Sequence, residues 1–377
     1  MFEAIAGQEQ AKEFFARALR ANALSHAYLL TGPEGLAKTA FACELGVALV
    51  SSCGGCGSCP ECERARRGAH PDLHVLEREG DLIRIDQIAP VIADLSLKPF
   101  STTRRVWVIP EVEYLHPAAA NKLLKSIEEP PSYVFFLLVS DRPERVLPTI
   151  VSRCQQVEFH ALSDEQVSAY LHTRYGLEGA AAEALARLAT GSVERAARLA
   201  EDARGAGRRP AFLKQLVLLL AGVRGDKAAD AQRAFINVLE QQQAEIKAAV
   251  DEQLEVRVAG LKQQFQDKSD QEWYIKKATE RAKREQTRLR RLAALDAVDL
   301  LTAWLRDLWV VACGASDVLW NCDRADELAG AAVATPDYYA RLLAAVALTR
   351  KDLYLNIDQE LALQALFARF EEVAESA

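Results

Sequence analysis

Apolar runs that do not alternate recur through the first 160 or so residues: Ala27-Tyr-Leu-Leu-Thr31, Leu73-His-Val-Leu76, Arg105-Val-Trp-Val-Ile109 and Tyr133-Val-Phe-Phe-Leu-Leu-Val139. Continuous β-branched and aromatic runs of this length predict strands covered on both faces. Between them the apolar spacing changes to that of helices, over Ala11 to Leu24, Thr39 to Val50, Asp86 to Leu95 and Pro117 to Glu128. Pro130-Pro131 terminates the last of these, and Pro90 is tolerable only in a first turn, because proline has no N–H for the helical ladder. Strands alternating with helices predict a parallel α/β sheet.

From about Leu162 the strand pattern vanishes. Ser163-Asp-Glu-Gln reads as a capping box opening a helix, and helices are expected around Ala180 to Ala189 and Val193 to Ala203. Arg204-Gly-Ala-Gly-Arg-Arg-Pro210 is the best linker, and everything beyond it reads as helix. Within that region Glu240 to Glu255 holds five acidic residues against one basic, whereas Lys276 to Arg291 holds eight basic against two acidic. Ile246, Val250, Leu254, Val258, Leu261 and Phe265 recur every three or four positions, which predicts an antiparallel helical hairpin with oppositely charged arms. A solvated helix face is preferred here to a nucleic-acid-binding one.

At 377 residues the chain exceeds one ordinary core, and two or three domains are expected. Half its residues are apolar and 26% are charged, as in soluble globular proteins. No apolar run reaches the roughly 18 to 20 residues a membrane helix needs, and Leu213 to Val223 is too short. The N-terminus lacks a signal-peptide pattern, so a cytoplasmic location is expected. A net charge of −7 argues against a surface given over to nucleic acid.

Gly32-Pro-Glu-Gly-Leu-Ala-Lys38-Thr39 falls one residue short of a phosphate-binding loop, G-x-x-x-x-G-K-[ST]. In that motif backbone N–H groups cradle phosphates, the lysine reaches the β and γ oxygens, and the hydroxyl holds Mg²⁺. Gly32, Gly35, Lys38 and Thr39 are the candidate nucleotide-binding residues. Ala37 stands where glycine would let the backbone wrap closely, so weakened or lost nucleotide binding is expected. Strand Val106 to Ile109 runs into Pro110-Glu111, where a P-loop ATPase carries the carboxylate that organises Mg²⁺. Proline cannot do this, and hydrolysis by this chain alone is not expected.

Four of the eight cysteines, Cys53, Cys56, Cys59 and Cys62, lie three residues apart among glycines and a proline. A compact loop around tetrahedral Zn²⁺ is the physical reading, with all four thiolates bound and no position open for catalysis. An iron–sulfur centre is the alternative. His70, in His70-Pro-Asp72, reads as punctuation before the next strand. Arg153, in Ser152-Arg153-Cys154, is a candidate to reach a neighbouring subunit's γ-phosphate. Gly191-Ser-Val-Glu-Arg195 opens a helix either as an ordinary N-cap or as a nucleotide sensor.

These motifs occur together with Gly7-Gln8-Glu9, His26-Ala-Tyr-Leu-Leu-Thr-Gly-Pro33, Ala119-Ala-Asn-Lys-Leu-Leu-Lys-Ser-Ile-Glu-Glu-Pro-Pro131, Leu147-Pro-Thr-Ile-Val-Ser-Arg-Cys154 and Leu305-Arg-Asp-Leu308. In this combination the chain resembles the delta-prime subunit family of the bacterial DNA polymerase III clamp loader, an AAA+ family. The resemblance implies a RecA-like AAA+ parallel-sheet core over 1–161 with an inserted zinc module at about 50–66. It also implies a small helical lid over 162–206 and a helical collar domain over 207–377, into which the charged hairpin at about 240–291 is inserted.

The function it implies is that of a stator in DNA replication. Such a subunit binds the gamma/tau ATPase subunits and delta, and meets the sliding clamp and primer–template DNA through the complex. By the same resemblance Arg153 acts in trans at the neighbour's ATP site, and Cys53, Cys56, Cys59 and Cys62 hold structural Zn²⁺. Pro110 and the charged hairpin depart from the family pattern. Two alternatives remain: an ATP-hydrolysing clamp-loader motor subunit, and a zinc-dependent DNA-binding protein using the basic arm.

Overall fold

Five strands pair in parallel to form one sheet: β1 (Ala27–Thr31), β2 (Leu73–Val75), β3 (Arg105–Ile109), β4 (Val134–Ser140) and β5 (Gln155–Glu158). Their order is β2-β3-β4-β1-β5, so β1 lies between strands that follow it in the chain. The computed structural model describes residues 2, 5–76, 78, 82–204, 209–214, 226–264, 268–355 and 357–375. The linker expected at 204–210 and the apolar run at 213–223 lie mostly outside these residues, as does Phe265.

Successive side chains of a strand point to opposite faces, and this divides the core in two. Tyr28, Leu30, Val106, Val108, Leu137 and Val139 join Phe15, Phe41 and Leu45 on one face. Ala27, Leu29, Trp107, Ile109, Phe136 and Leu138 join Ile88, Val91, Leu123 and Ile127 on the other. Both faces are covered, which is why β1, β3 and β4 are buried throughout and apolar apart from Thr31, Arg105 and Ser140 at their ends. The helices concerned are α1 (Glu9–Arg20), α2 (Lys38–Val50), α3 (Pro60–Arg66), α4 (Ile85–Leu95), α5 (Pro117–Glu128) and α6 (Pro148–Val151).

Helix α4 corrects one expectation. It begins at Ile85, so Pro90 is its sixth residue and lies beyond the first turn. The missing N–H there leaves the carbonyl four residues earlier without its ladder bond. Strand β5 is the other surprise. Of its four residues only Val157 is buried, so no apolar run marks it.

The capping box at Ser163 is formed. Its N–H donates to Gln166 Oε1 (3.0 Å) and its Oγ accepts from Gln166 N–H (3.3 Å), opening α7 (Asp164–Tyr175). Helices α8 (Gly179–Ala189) and α9 (Val193–Arg204) follow. The chain separates into two compact units, Met1–Tyr175 with Ala189–Ala197, and Gly176–Leu188 with Arg198–Ala377, the division passing through α8 and α9.

In the second unit two long helices, Asp226–Gln264 and Lys268–Ala312, pack against each other. Gln271 donates to the Lys262 carbonyl (3.2 Å) and Arg290 to Gln243 Oε1 (2.8 Å), so residues move apart at equal steps on either side of the tip. The pair is therefore antiparallel, and it extends well beyond 240–291 at both ends. Asp307, fully buried, accepts from the N–H groups of Trp320 (3.0 Å) and Asn321 (2.7 Å) and fixes the loop after the second long helix. Among the described residues no helix is long and apolar enough to cross a membrane.

Candidate functional site

Register places the ends of β1 and β4 side by side, Thr31 opposite Ser140. The loop leaving β1 therefore meets the first residue after β4, Asp141. Gly32 adopts φ 138° and Gly35 φ 83°, conformations that favour glycine. A Cβ on Gly32 would stand 2.3 Å from the Phe159 carbonyl oxygen, and one on Gly35 would stand 2.1 Å from Ser192 Oγ. Ser192 Oγ and Glu194 N–H both donate to the Gly35 carbonyl, at 3.1 and 3.2 Å. The Gly191-Ser-Val-Glu-Arg195 segment is thus seated on the phosphate loop.

Ala37 takes a left-handed conformation, φ 55° and ψ 29°, just before α2. An L side chain in that region costs roughly 1–2 kcal/mol relative to glycine. The loop is accordingly formed but strained. Lys38, the first residue of α2, is buried and already engaged. Its ammonium donates to the Pro33 carbonyl and lies 2.7 Å from Asp141 Oδ1. Thr39 is exposed on the same turn.

Two further carboxylates follow β3. Glu111 has φ 54° and is held by Arg78 through two bonds of 3.0 and 3.1 Å, with the guanidinium 4.1 Å above the Tyr114 ring. Glu113 accepts from Asp141 N–H at 3.3 Å, and its other oxygen is buried without a hydrogen bond among the described residues. Burial raises its pKa above the ordinary carboxylate range. Glu111 and Glu113 are the acidic residues that remain after Pro110, although neither stands at the position of the metal-organising carboxylate.

The four clustered cysteines come together where the loop after α2 runs into α3, Cys59 capping that helix and Cys62 lying in its first turn. Their sulfurs all lie within 4.8 Å of one another, with Cys53 Sγ 3.6 Å from Cys59 Sγ and 3.4 Å from Cys62 Sγ. Four thiolates at about 2.3 Å from a tetrahedral ion would stand about 3.8 Å apart, so the donor set and its spacing fit a closed metal site. The N–H groups of Cys56 and Cys62 donate to the sulfurs of Cys53 and Cys59, each at 3.4 Å.

Neighbouring side chains hold this loop in place. Arg66 grips Glu44 on α2 (2.8 and 2.7 Å) and donates to the Gly57 carbonyl (2.9 Å), while Glu61 accepts from both N–H and Oγ of Ser52 (2.9 Å each). His70 is buried outside the cluster, and its Nδ1 accepts from the Asp72 N–H at 3.1 Å, the punctuating role expected of it.

Arg153 sits at the surface just past α6. Its Nε pairs with Glu128, the last residue of α5, and its Nη1 donates to the Thr149 carbonyl at 3.0 Å. Cys154 packs against the sheet, where burial pushes its thiol up to about 12. Its burial against the core anchors the turn. The sheet therefore brings Gly32, Gly35, Lys38 and Thr39 together, whereas Arg153 and the cysteines occupy separate places.

Residues 7–163 match the family described as "DNA polymerase III, delta subunit". The chain is 33% identical to DNA polymerase III subunit delta' of Bacillus subtilis over 153 residues, 38% of this chain and 45% of that one. It is 32% identical to DNA polymerase III subunit tau/gamma of Haemophilus influenzae over 221 residues, 55% of this chain and 31% of that one. It thus spans less than half the length of these relatives. A DNA polymerase III gamma subunit-related protein of Thermotoga maritima aligns over 96% of this chain and 99% of its own, at 16% identity and a TM-score of 0.42. Over its N-terminal part the chain is thus similar to DNA polymerase III clamp-loader subunits, with delta' and tau/gamma both among the proteins it resembles.

Proposed function

We propose that this protein is a delta-prime-type stator of the replicative clamp loader. It assembles with gamma/tau ATPase subunits and delta, lends Arg153 to a neighbour's ATP site, and does not itself hydrolyse ATP. The observation that carries this reading is the contrast between two places in one sheet. At the phosphate loop the lysine is spent on Asp141, Ala37 is strained, and Pro110 replaces the metal-organising carboxylate. At Arg153 a guanidinium stands exposed on an anchored turn.

In this reading Cys53, Cys56, Cys59 and Cys62 hold a structural Zn²⁺ that stabilises the loop between α2 and α3. The sheet with its flanking helices is the core over 1–161, the helices over 162–206 are the lid, and the helices over 207–377 are the collar. The collar carries the charged hairpin. The sliding clamp and primer–template DNA are met through the assembled complex.

A motor subunit is the second reading, favoured by the longer stretch of similarity to the tau/gamma relative. Measuring ATP hydrolysis by the chain alone and by its reconstituted complex, native and Arg153→Ala, separates the two. The stator reading expects no turnover by the chain alone and a loss on the order of 10³-fold in the complex with Arg153→Ala. Turnover by the chain alone would establish the motor.

A further inference from the structure

Glu128 is in a poor place for a carboxylate. It is the last residue of α5, where the helix dipole places partial negative charge and basic residues are favoured. Helix stability does not account for it. Its carboxylate meets Arg153 Nε, some 25 residues away in sequence and on a different element.

The rest of the guanidinium is constrained in the same sense. Nη1 donates to the Thr149 carbonyl (3.0 Å) and lies 3.4 Å from Ser152 Oγ. Ser152 Oγ in turn donates to that same Thr149 carbonyl at 3.2 Å. Among the described residues Nη2 makes no hydrogen bond. Of the three nitrogens of the fork, Nε pairs with Glu128 and Nη1 bonds to the α6 turn, on a side chain that is 38% exposed.

The two sides of this grip differ chemically. The Thr149 carbonyl and Ser152 are part of the same turn as Arg153 and cannot set its direction against the rest of the fold. Glu128 can, because α5 is packed on the sheet through Ala119, Ala120, Leu123 and Ile127. Pro130-Pro131 ends the helix two residues later and prevents its last turn from extending. The helix end that carries Glu128 is thereby a fixed base from which its carboxylate meets the guanidinium.

We infer that Glu128 is the positioning residue for Arg153, holding the guanidinium side-on through Nε so that its Nη2 edge is pre-aimed at a γ-phosphate on the neighbouring subunit. This rests on the reading of Arg153 as a trans-acting residue. A guanidinium fixed before the phosphate arrives loses less side-chain freedom when charge develops. Without its support the same arginine samples several rotamers and meets the phosphate in fewer of them.

The test uses the reconstituted complex with native chain, Arg153→Ala, Glu128→Ala, Glu128→Gln and the Glu128→Ala/Arg153→Ala double variant. ATP turnover is followed as kcat and KM, and melting of each chain is recorded. Glu128→Ala is expected to lower kcat roughly 10- to 100-fold with KM for ATP unchanged. Glu128→Gln keeps an acceptor for Nε and is expected to recover most of that loss. In the double variant, removing Glu128 is expected to cost nothing beyond Arg153→Ala alone, because a residue acting through another has no effect once that other is gone.

Native kcat with Glu128→Ala, or a double variant slower than Arg153→Ala, overturns the inference while leaving the trans role of Arg153 standing. An Arg153→Ala complex that turns over normally overturns both, and so identifies the trans reading itself as the failure.

Discussion

The Lys38 ammonium lies 2.7 Å from the Asp141 carboxylate, with the lysine side chain 2% exposed. This ion pair occupies the group that a phosphate-binding loop presents to nucleotide. It exists because β1 and β4 are neighbours in register, so that the residue after one strand meets the helix that follows the other. Any phosphate must displace a carboxylate already in place. Asp141→Asn is therefore expected to tighten binding of Mg·ATP, or of inorganic phosphate, by about tenfold, equivalent to about 1.4 kcal/mol. Calorimetric titration of the native and substituted chains measures this. Equal affinities would remove Asp141 from the explanation of the loop's state.

Ala37→Gly follows from the backbone alone. Glycine relieves the left-handed strain at φ 55°, and the gain is partly offset by the greater freedom of glycine in the unfolded chain. A net stabilisation of about 0.5–1 kcal/mol is expected, read from the midpoint of denaturant unfolding. A destabilised variant would mean that the Ala37 methyl contributes packing that outweighs its strain.

The cysteine cluster makes a prediction about content and about order. Elemental analysis is expected to find about one zinc per chain. Stripping the metal with a chelator is expected to abolish hydrogen-exchange protection over residues 51–67 while leaving β1 and β4 protected. Apparent local folding energy on the order of 10 kcal/mol depends on the ion in comparable four-ligand sites. Iron in place of zinc, or unchanged protection after stripping, would refute the structural-zinc reading.

Asp72 organises the loop that precedes β3. It is fully buried and accepts from the N–H groups of Phe100 (2.7 Å) and Ser101 (2.8 Å) and from Arg105 (3.2 Å). Burial acts to raise its pKa, but these donors outweigh it and hold the group below the ordinary carboxylate range. A depressed folded pKa gives stability that is present above the unfolded value of about 3.9 and is lost as pH falls through the lower folded one. Asp72→Asn is expected to cost about 3 kcal/mol or more at neutral pH and to flatten the stability profile below pH ~4. Urea unfolding at several pH values tests both, and an unchanged acid limb would assign that limb to another carboxylate.

Much of the fold was legible because its central strands are buried on both sides. Burial on two faces demands an unbroken apolar run, and β1 and β3 appear in the sequence with the bounds they have in the structure. The fifth strand was not legible for the complementary reason. At the edge of the sheet only Val157 is buried, so Gln155-Gln-Val-Glu158 carries no pattern. Pro90 misled in a similar way, since α4 accepts the loss of one ladder bond while burying Ile88, Val91 and Leu95.

The chemistry divides along the same line. Spacing alone nominated the four thiols, because ligands within ten residues of one another need only a flexible, glycine-rich loop to converge. The same holds for Gly32, Lys38 and Thr39, which one strand–turn–helix passage brings together. By itself the sequence therefore determined the elements and the locally encoded constellations. The tertiary structure decided the pairings between distant residues, Lys38 with Asp141 and Arg153 with Glu128. Those depend on strand order and on where a helix stops against the sheet, and no local pattern carries that information. Long-range register is set by the packing of whole elements, and only once they are packed does a given charge acquire its partner.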